Sequence, residues 1–238
     1  MLNPTFLHGF TMSADWYDIR LTNAINTVDP QQLAELCVDQ PSLDNPFCAS
    51  IQRENGGRTP GYITGFTVNP LNVAAFRTAG LDVNLQYVLR TEHLGDFNIN
   101  LKANYLDKLT FIGTPGADPT DDRGTAYAPK YQAKLDLTWS SGPVTLNYGL
   151  GWFDKTLRTS HLNIQGDPNY YAPQYVYYKQ LWQHDLYGAY NVNDHFQFYM
   201  GVNNAFNQKP AFGSTSYPID SVGRFIYAGF KVNLDRFL

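Results

Sequence analysis

The feature that most constrains this chain is a two-residue alternation of apolar and polar side chains, repeated in segment after segment. From 97 to 105, Phe97, Ile99, Leu101, Ala103 and Tyr105 take one face, and Asn98, Asn100, Lys102 and Asn104 take the other. The same beat runs through Leu81, Val83, Leu85, Tyr87 and Leu89, through Ala133, Leu135, Leu137 and Trp139, and through Val144, Leu146, Tyr148, Leu150 and Trp152. It returns at Leu186 to Val192, at Phe196 to Val202 and at Ile226 to Leu234. Successive side chains of an extended strand point to opposite faces, so each segment reads as a strand with one apolar and one polar side.

The connections decide how such strands are arranged. Their spans are long at 23–61, short at 91–95, long at 113–126, short at 140–143, long at 160–175, short at 191–194 and long at 207–221. Strict alternation of long and short suits an antiparallel barrel crossing an outer membrane, where periplasmic turns are tight and extracellular loops are free to grow. The fold class expected is therefore all-β, an antiparallel transmembrane β-barrel wall of about eight strands. Segments such as 127–139 and 144–157 are long enough to cross the hydrocarbon layer. Tyr105, Trp139, Trp152, Tyr190 and Phe206 suit the aromatic girdles at its two surfaces. A soluble β-sandwich is the competing architecture, but it does not call for long strands with regularly alternating connections.

Composition agrees. Charged residues are 16% of the chain, well under the roughly 25% of an ordinary soluble domain. Aromatic residues reach 15%, and no stretch approaches the apolar run of about 18 residues that a spanning helix needs. A net charge of -4 leaves no electrostatic footprint for nucleic acid. MLNPTFLHGF shows no basic region followed by an apolar one, so no secretory signal is visible; because an outer-membrane protein needs one, either the class is wrong or the chain has lost its beginning.

Few residues suggest chemistry. Cys37 and Cys48 are spaced for neither a zinc site nor a CxxC redox pair; a disulfide clip is the better reading, worth on the order of 3 kcal/mol, with two free thiols as the alternative. Asp118, Asp121 and Asp122 lack EF-hand spacing and read as a solvated acidic loop, so no metal site is assigned. Tyr170, Tyr171, Tyr175 and Tyr177 fall in a long loop, where aromatic rings can stack on a planar or sugar ligand or join the outer girdle. The neighbours His184 and Asp185, like Asp194 and His195, point to opposite faces of a strand. With no GxSxG or HExxH pattern either, no catalytic residue, enzyme activity or cofactor is expected.

Several segments resemble the C-terminal barrel region of the TonB-dependent receptors, the plugged outer-membrane transporters. GVNNAFNQKP at 201–210, with Asn203, Asn204, Phe206 and Pro210, resembles the penultimate strand and its Lys-Pro stop. GRFIYAGFKVNL, opening on Gly223, resembles the last strand, and TAGLDVNLQY, PKYQAKLDLTW and SADWYDIRLTNAI complete the series in the family's order. Each has a plain structural reading as well, Pro210 as a strand stop and Asn203 and Asn204 as mouth-side residues. The resemblance implies that 1–238 is the C-terminal portion of a barrel of about 22 strands, with plug and signal peptide absent. It implies energy-coupled uptake across the Gram-negative outer membrane of a scarce ligand: a ferric siderophore, haem, cobalamin or an oligosaccharide. It implies as partners outer-membrane lipid, the TonB complex through the plug, and the barrel-assembly machinery through the last strand. That strand usually ends on an aromatic residue, whereas here Phe237 is penultimate. The alternative is a self-contained eight-stranded outer-membrane barrel acting as adhesin or structural protein.

Overall fold

The computed structural model describes residues 4, 6–113, 118–211, 214, 217 and 219–233. In chain order the elements are β1 (Phe10–Thr27), α1 (Pro30–Asp39), α2 (Pro46–Ala49), β2 (Ile51–Arg53), β3 (Ile63–Phe66), β4 (Pro70–Thr91), β5 (Gly95–Ile112) and β6 (Thr120–Asp121). There follow β7 (Tyr131–Ser141), β8 (Val144–Phe153), β9 (Thr156–Leu157), α3 (His161–Gly166), a 3-10 turn (Pro173–Tyr175), β10 (Tyr177–Tyr178), β11 (Leu181–Asn191), β12 (Phe196–Asn203) and β13 (Phe225–Val232). Among the described residues no helix is long and apolar enough to cross a membrane, a statement that does not bear on strands.

Eight long strands form one sheet in the order β1-β4-β5-β7-β8-β11-β12-β13, with the short β6 paired to β5. Neighbours in the sheet are neighbours in sequence once the loop elements are set aside, as the alternating connections predict. The short turns are built by their own side chains. Thr91 accepts from Leu94 N–H at 2.9 Å and donates to Gly95 C=O at 2.7 Å, and Asn193 Oδ1 accepts from the N–H groups of His195 and Phe196 at 2.9 and 3.0 Å. Gly142, at φ 53, supplies the left-handed residue of the β7–β8 turn. Among the described residues, β1 and β13 are each paired on one side and not with one another.

Register fixes two faces. Phe97, Ile99, Leu101, Ala103 and Tyr105 stand opposite Trp139, Leu137, Leu135, Ala133 and Tyr131. Tyr148 lies between Leu137 and Leu186, and Leu146 between Trp139 and Gly188. The apolar residues therefore line up across the sheet. They are not covered by protein: Leu146, Leu186, Met200 and Phe230 are 48%, 48%, 58% and 69% exposed. A soluble sandwich would bury this side, so the exposed face decides against it.

The opposite face is polar and internally bonded. Asn104 Nδ2 donates to Asp82 at 2.7 Å, and Asn147 Nδ2 donates to Thr138 Oγ1 at 2.9 Å. Tyrosine rings lie over glycines here. An added Cβ at Gly229 would sit 2.5 Å from Tyr199 Oη, and one at Gly201 would overlap Tyr227 Oη. Each ring occupies the space of the side chain its cross-strand partner lacks.

The chain divides into two compact units, one of residues 19–78 and 109–121 and one of the remainder. In the smaller, the stretch expected as a plain long connection at 23–61 is instead a folded loop with its own core of Val28, Leu33, Leu36, Cys37, Phe47 and Ile51. Two Asx-Pro pairs start its helices. Asp29 accepts from Gln31 N–H ahead of Pro30, and Asn45 accepts from the N–H groups of Phe47 and Cys48 around Pro46. Cys37 and Cys48 are joined in a disulfide. Three further boundaries differ from expectation. The strand read at 81–89 runs 70–91, that at 127–139 begins at Tyr131, and that at 144–157 ends at Phe153, its tail leaving as β9 to pair with β10. The apolar parity of β8 gives way after Trp152 to Asp154 and Thr156, with Phe153 and Leu157 on the other parity, so the break in the two-residue beat marks where β8 ends and β9 leaves.

Candidate functional site at the long-loop end

In the larger unit three loops lock together beyond the strands β7, β8, β11 and β12. Leu157 N–H donates to Gly124 C=O at 2.7 Å, and a ring nitrogen of His161 lies 2.7 Å from Arg123 C=O. Thr156 Oγ1 is 3.0 Å from Tyr217 Oη, whose ring lies 5.2 Å from that of Tyr178. Burial pushes the Tyr217 phenol above its ordinary value, Tyr178 adds to the rise, and the bond to Thr156 opposes it.

Arg158 is the hub. Its guanidinium lies 4.4 Å from the Tyr178 ring centre and 6.0 Å from that of Tyr175, within cation–π range, and its Nε is buried without a hydrogen-bond partner. Beside it opens a cleft of about 520 Å³, lined by Arg158, Tyr175, Tyr177, Lys179, Lys209 and Pro210 together with Gln174, Gln180 and Gln208. Lys155 Nζ lies over the Tyr177 ring, 5.1 Å from its centre. Among the described residues that line the cleft, three are cations and none is a carboxylate. Such a lining favours a ligand that is anionic and has aromatic or planar surface.

Of the loop tyrosines expected to contact a ligand, Tyr175 and Tyr177 line the cleft. Tyr170 and Tyr171 pack edge-to-face on each other at 5.1 Å and are not among its lining residues. Arg158, Lys179 and Lys209 were missed. Isolated basic residues in loops carry no periodic signal, and what assembles them is the pairing of β9 with β10 and the return of the chain after β12.

Of the segment from Asn203 to Pro210, Gln208, Lys209 and Pro210 line the cleft. Asn203, opposite Phe225, is the last residue of β12. Asn204 then turns left-handed at φ 52, and its carboxamide closes the turn: Oδ1 accepts from Gln208 N–H at 2.7 Å and Nδ2 donates to Gln208 C=O at 2.8 Å. Its own N–H donates to Asp185 Oδ1 at 2.7 Å, tying the turn to the polar face of β11. The strand therefore ends at Asn203, with one further backbone bond from Ala205 N–H to His184 C=O at 2.7 Å, and Pro210, expected as the strand stop, lines the cleft instead. Phe206 meets the His184 ring edge-on at 4.7 Å and is 73% exposed, as a girdle residue would be. Gly223, at φ 73, returns the chain toward β13, where an added Cβ would meet Asn207 Oδ1 at 2.7 Å. Phe237 lies outside the described residues.

Residues 3–205 match the family model described as TonB dependent receptor-like, beta-barrel. The chain belongs to this family. TonB-dependent receptors are outer-membrane proteins of Gram-negative bacteria, and they are receptors and transporters, not enzymes. Solved structures with the same fold include a mutant of the ferric enterobactin receptor PfeA from Pseudomonas aeruginosa, with a TM-score of 0.56 at 14% identity. The FrpB iron transporter from Neisseria meningitidis gives 0.58 at 12%, and the siderophore receptor PirA from Acinetobacter baumannii 0.56 at 15%. Each match covers 94% of this chain, and 29%, 29% and 30% of those chains respectively. The chain thus spans under a third of the TonB-dependent receptors it matches. No curated protein matches it by sequence.

Proposed function

We propose that this chain forms one stretch of the barrel wall of a TonB-dependent receptor whose ligand is a ferric siderophore. The loop end faces outward and helps capture the ligand, and the apolar face meets outer-membrane lipid. Energy comes from the TonB complex through a plug that closes the barrel, and the last strand, through Phe237, is read by the barrel-assembly machinery. Haem, cobalamin and oligosaccharides are the other ligand classes of this reading. The observation that carries the choice is the cleft of Arg158, Lys179 and Lys209 with Tyr175 and Tyr177 and no carboxylate. A ferric catecholate is anionic and presents aromatic rings, so it meets both features, whereas an uncharged oligosaccharide gains nothing from three cations. The outer edges of β1 and β13, unpaired among the described residues, favour a wall continued by further strands over a small closed barrel.

The test is a titration of the full-length receptor in detergent with a ferric tricatecholate, cobalamin and haem, followed by intrinsic fluorescence. Each charge-assisted contact is worth about 1.5–3 kcal/mol, so Arg158→Ala with Lys209→Ala is expected to weaken ferric tricatecholate binding at least tenfold. Unchanged affinity in that variant, or tighter binding of haem or cobalamin than of the ferric tricatecholate by the parent protein, would remove this choice of ligand.

A further inference from the structure

The apolar face carries a hollow that its neighbours do not fill. Gly188 stands between Leu146 on β8 and Met200 on β12, and with no side chain there the wall sinks into a depression of about 730 Å³. Leu137, Tyr148 and Leu186 form one rim, and Trp139 stands toward the short-turn end. A second hollow of about 620 Å³ shares Leu146, Gly188 and Met200. The polar side-chain atoms on the apolar side of the lining are already paired. Tyr148 Oη lies 2.7 Å from His184 Nδ1, and Trp139 Nε1 donates to Leu94 C=O at 2.7 Å. What remains for an occupant to touch is carbon.

We propose that this hollow seats a single acyl chain of an outer-membrane lipid, held in preference to the lipids around it. The inference rests on the reading of the apolar face as lipid-facing. The hollow is continuous on its sides with that face, so hydrocarbon is what meets it. Between hydrocarbon and an apolar wall there is no hydrophobic driving force, and preference arises from packing. A chain lying over Gly188 touches wall atoms on its flanks as well as beneath, and each added atom pair contributes dispersion that a convex stretch of wall does not offer. With no charged side chain in the lining, the seat selects the hydrocarbon and not the headgroup.

The test uses the full-length receptor in detergent micelles with palmitoyl-oleoyl phosphatidylethanolamine titrated in, and counts lipid retained per protein by native mass spectrometry. One tightly held lipid is expected. Gly188→Leu fills the hollow from its floor; an added Cβ there meets only Leu146 Cδ2, at 3.3 Å, among the atoms within contact range. Retention should fall roughly tenfold, the factor that about 1.4 kcal/mol of lost contact converts to. Met200→Phe fills the same space from the opposite side and should do the same, so misfolding of one variant does not decide the matter. Ala103→Leu, on the same face and outside both hollows, should retain lipid as the parent does. Equal retention in all four proteins, no retained lipid in the parent, or a dimer that both filling variants disrupt would each overturn the proposal. Failure of the lipid-facing reading itself would look different: Leu186→Arg would then assemble in the membrane as well as the parent does.

Discussion

At Asn204 one side chain does three things: it permits a left-handed backbone, accepts from Gln208 N–H and donates to Gln208 C=O. Asn204→Ala removes both bonds and keeps the unfavourable φ, a combined loss of about 2–4 kcal/mol from two hydrogen bonds and the backbone term. Asn204→Gly removes the bonds but relieves the backbone, so it should lie between the two. Denaturant midpoints of the full-length receptor in detergent, read by heat-modifiability on gels, order the three. Identical midpoints for Ala and Gly would show that the left-handed backbone contributes nothing. At this scale the sequence was legible where a residue obeys the two-residue beat. Leu137, Tyr148 and Leu186 could be assigned a face before any fold was known. Arg158 could not, because its role depends on Tyr178 and Tyr175, some twenty residues on, being folded back over it.

Among the elements, the disulfide-braced loop and the wall strands make opposite demands. The loop has a small core, and Cys37 within it is 2% exposed. Opening the Cys37–Cys48 bond by Cys37→Ser with Cys48→Ser should cost that loop about 3 kcal/mol and expose it locally, while the wall stays assembled. Limited proteolysis should then cut between 40 and 45 in the variant and not in the oxidised parent; equal resistance would mean that the core suffices. The wall strands depend on which face a residue takes. Leu186→Arg puts a charge on the apolar face and should cost about 2–4 kcal/mol if near mid-membrane, whereas Tyr187→Arg, one residue on and on the polar face, should assemble nearly as well. Membrane-inserted, heat-modifiable yield separates them. Strand existence and facing were readable because periodicity reports them directly. The helices of the long loop were passed over, although Asp29-Pro30 and Asn45-Pro46 are helix-start signals, because the surrounding Pro, Asn and Asp residues read equally well as irregular loop.

For the whole molecule, the sheet order follows from chain order and the alternating connections, so topology was the most legible level. The cleft was the least legible, because its lining comes from two stretches of chain, 158–181 and 208–211, that meet only in the fold. With β1 and β13 each paired on one side, residues 1–238 refolded alone should associate through those edges, and size exclusion in detergent should show broad oligomers. A sharp monomer peak would instead favour the self-contained barrel. The three lining cations also give the cleft itself a positive local potential, which salt confines to about 8 Å at physiological ionic strength and which reaches further in dilute water. Under the ligand reading proposed above, the reach of this cleft is then tied to the salinity of its surroundings. In fresh water an anionic ligand would be drawn into it from farther away than in brine, with no change in the residues that finally hold it.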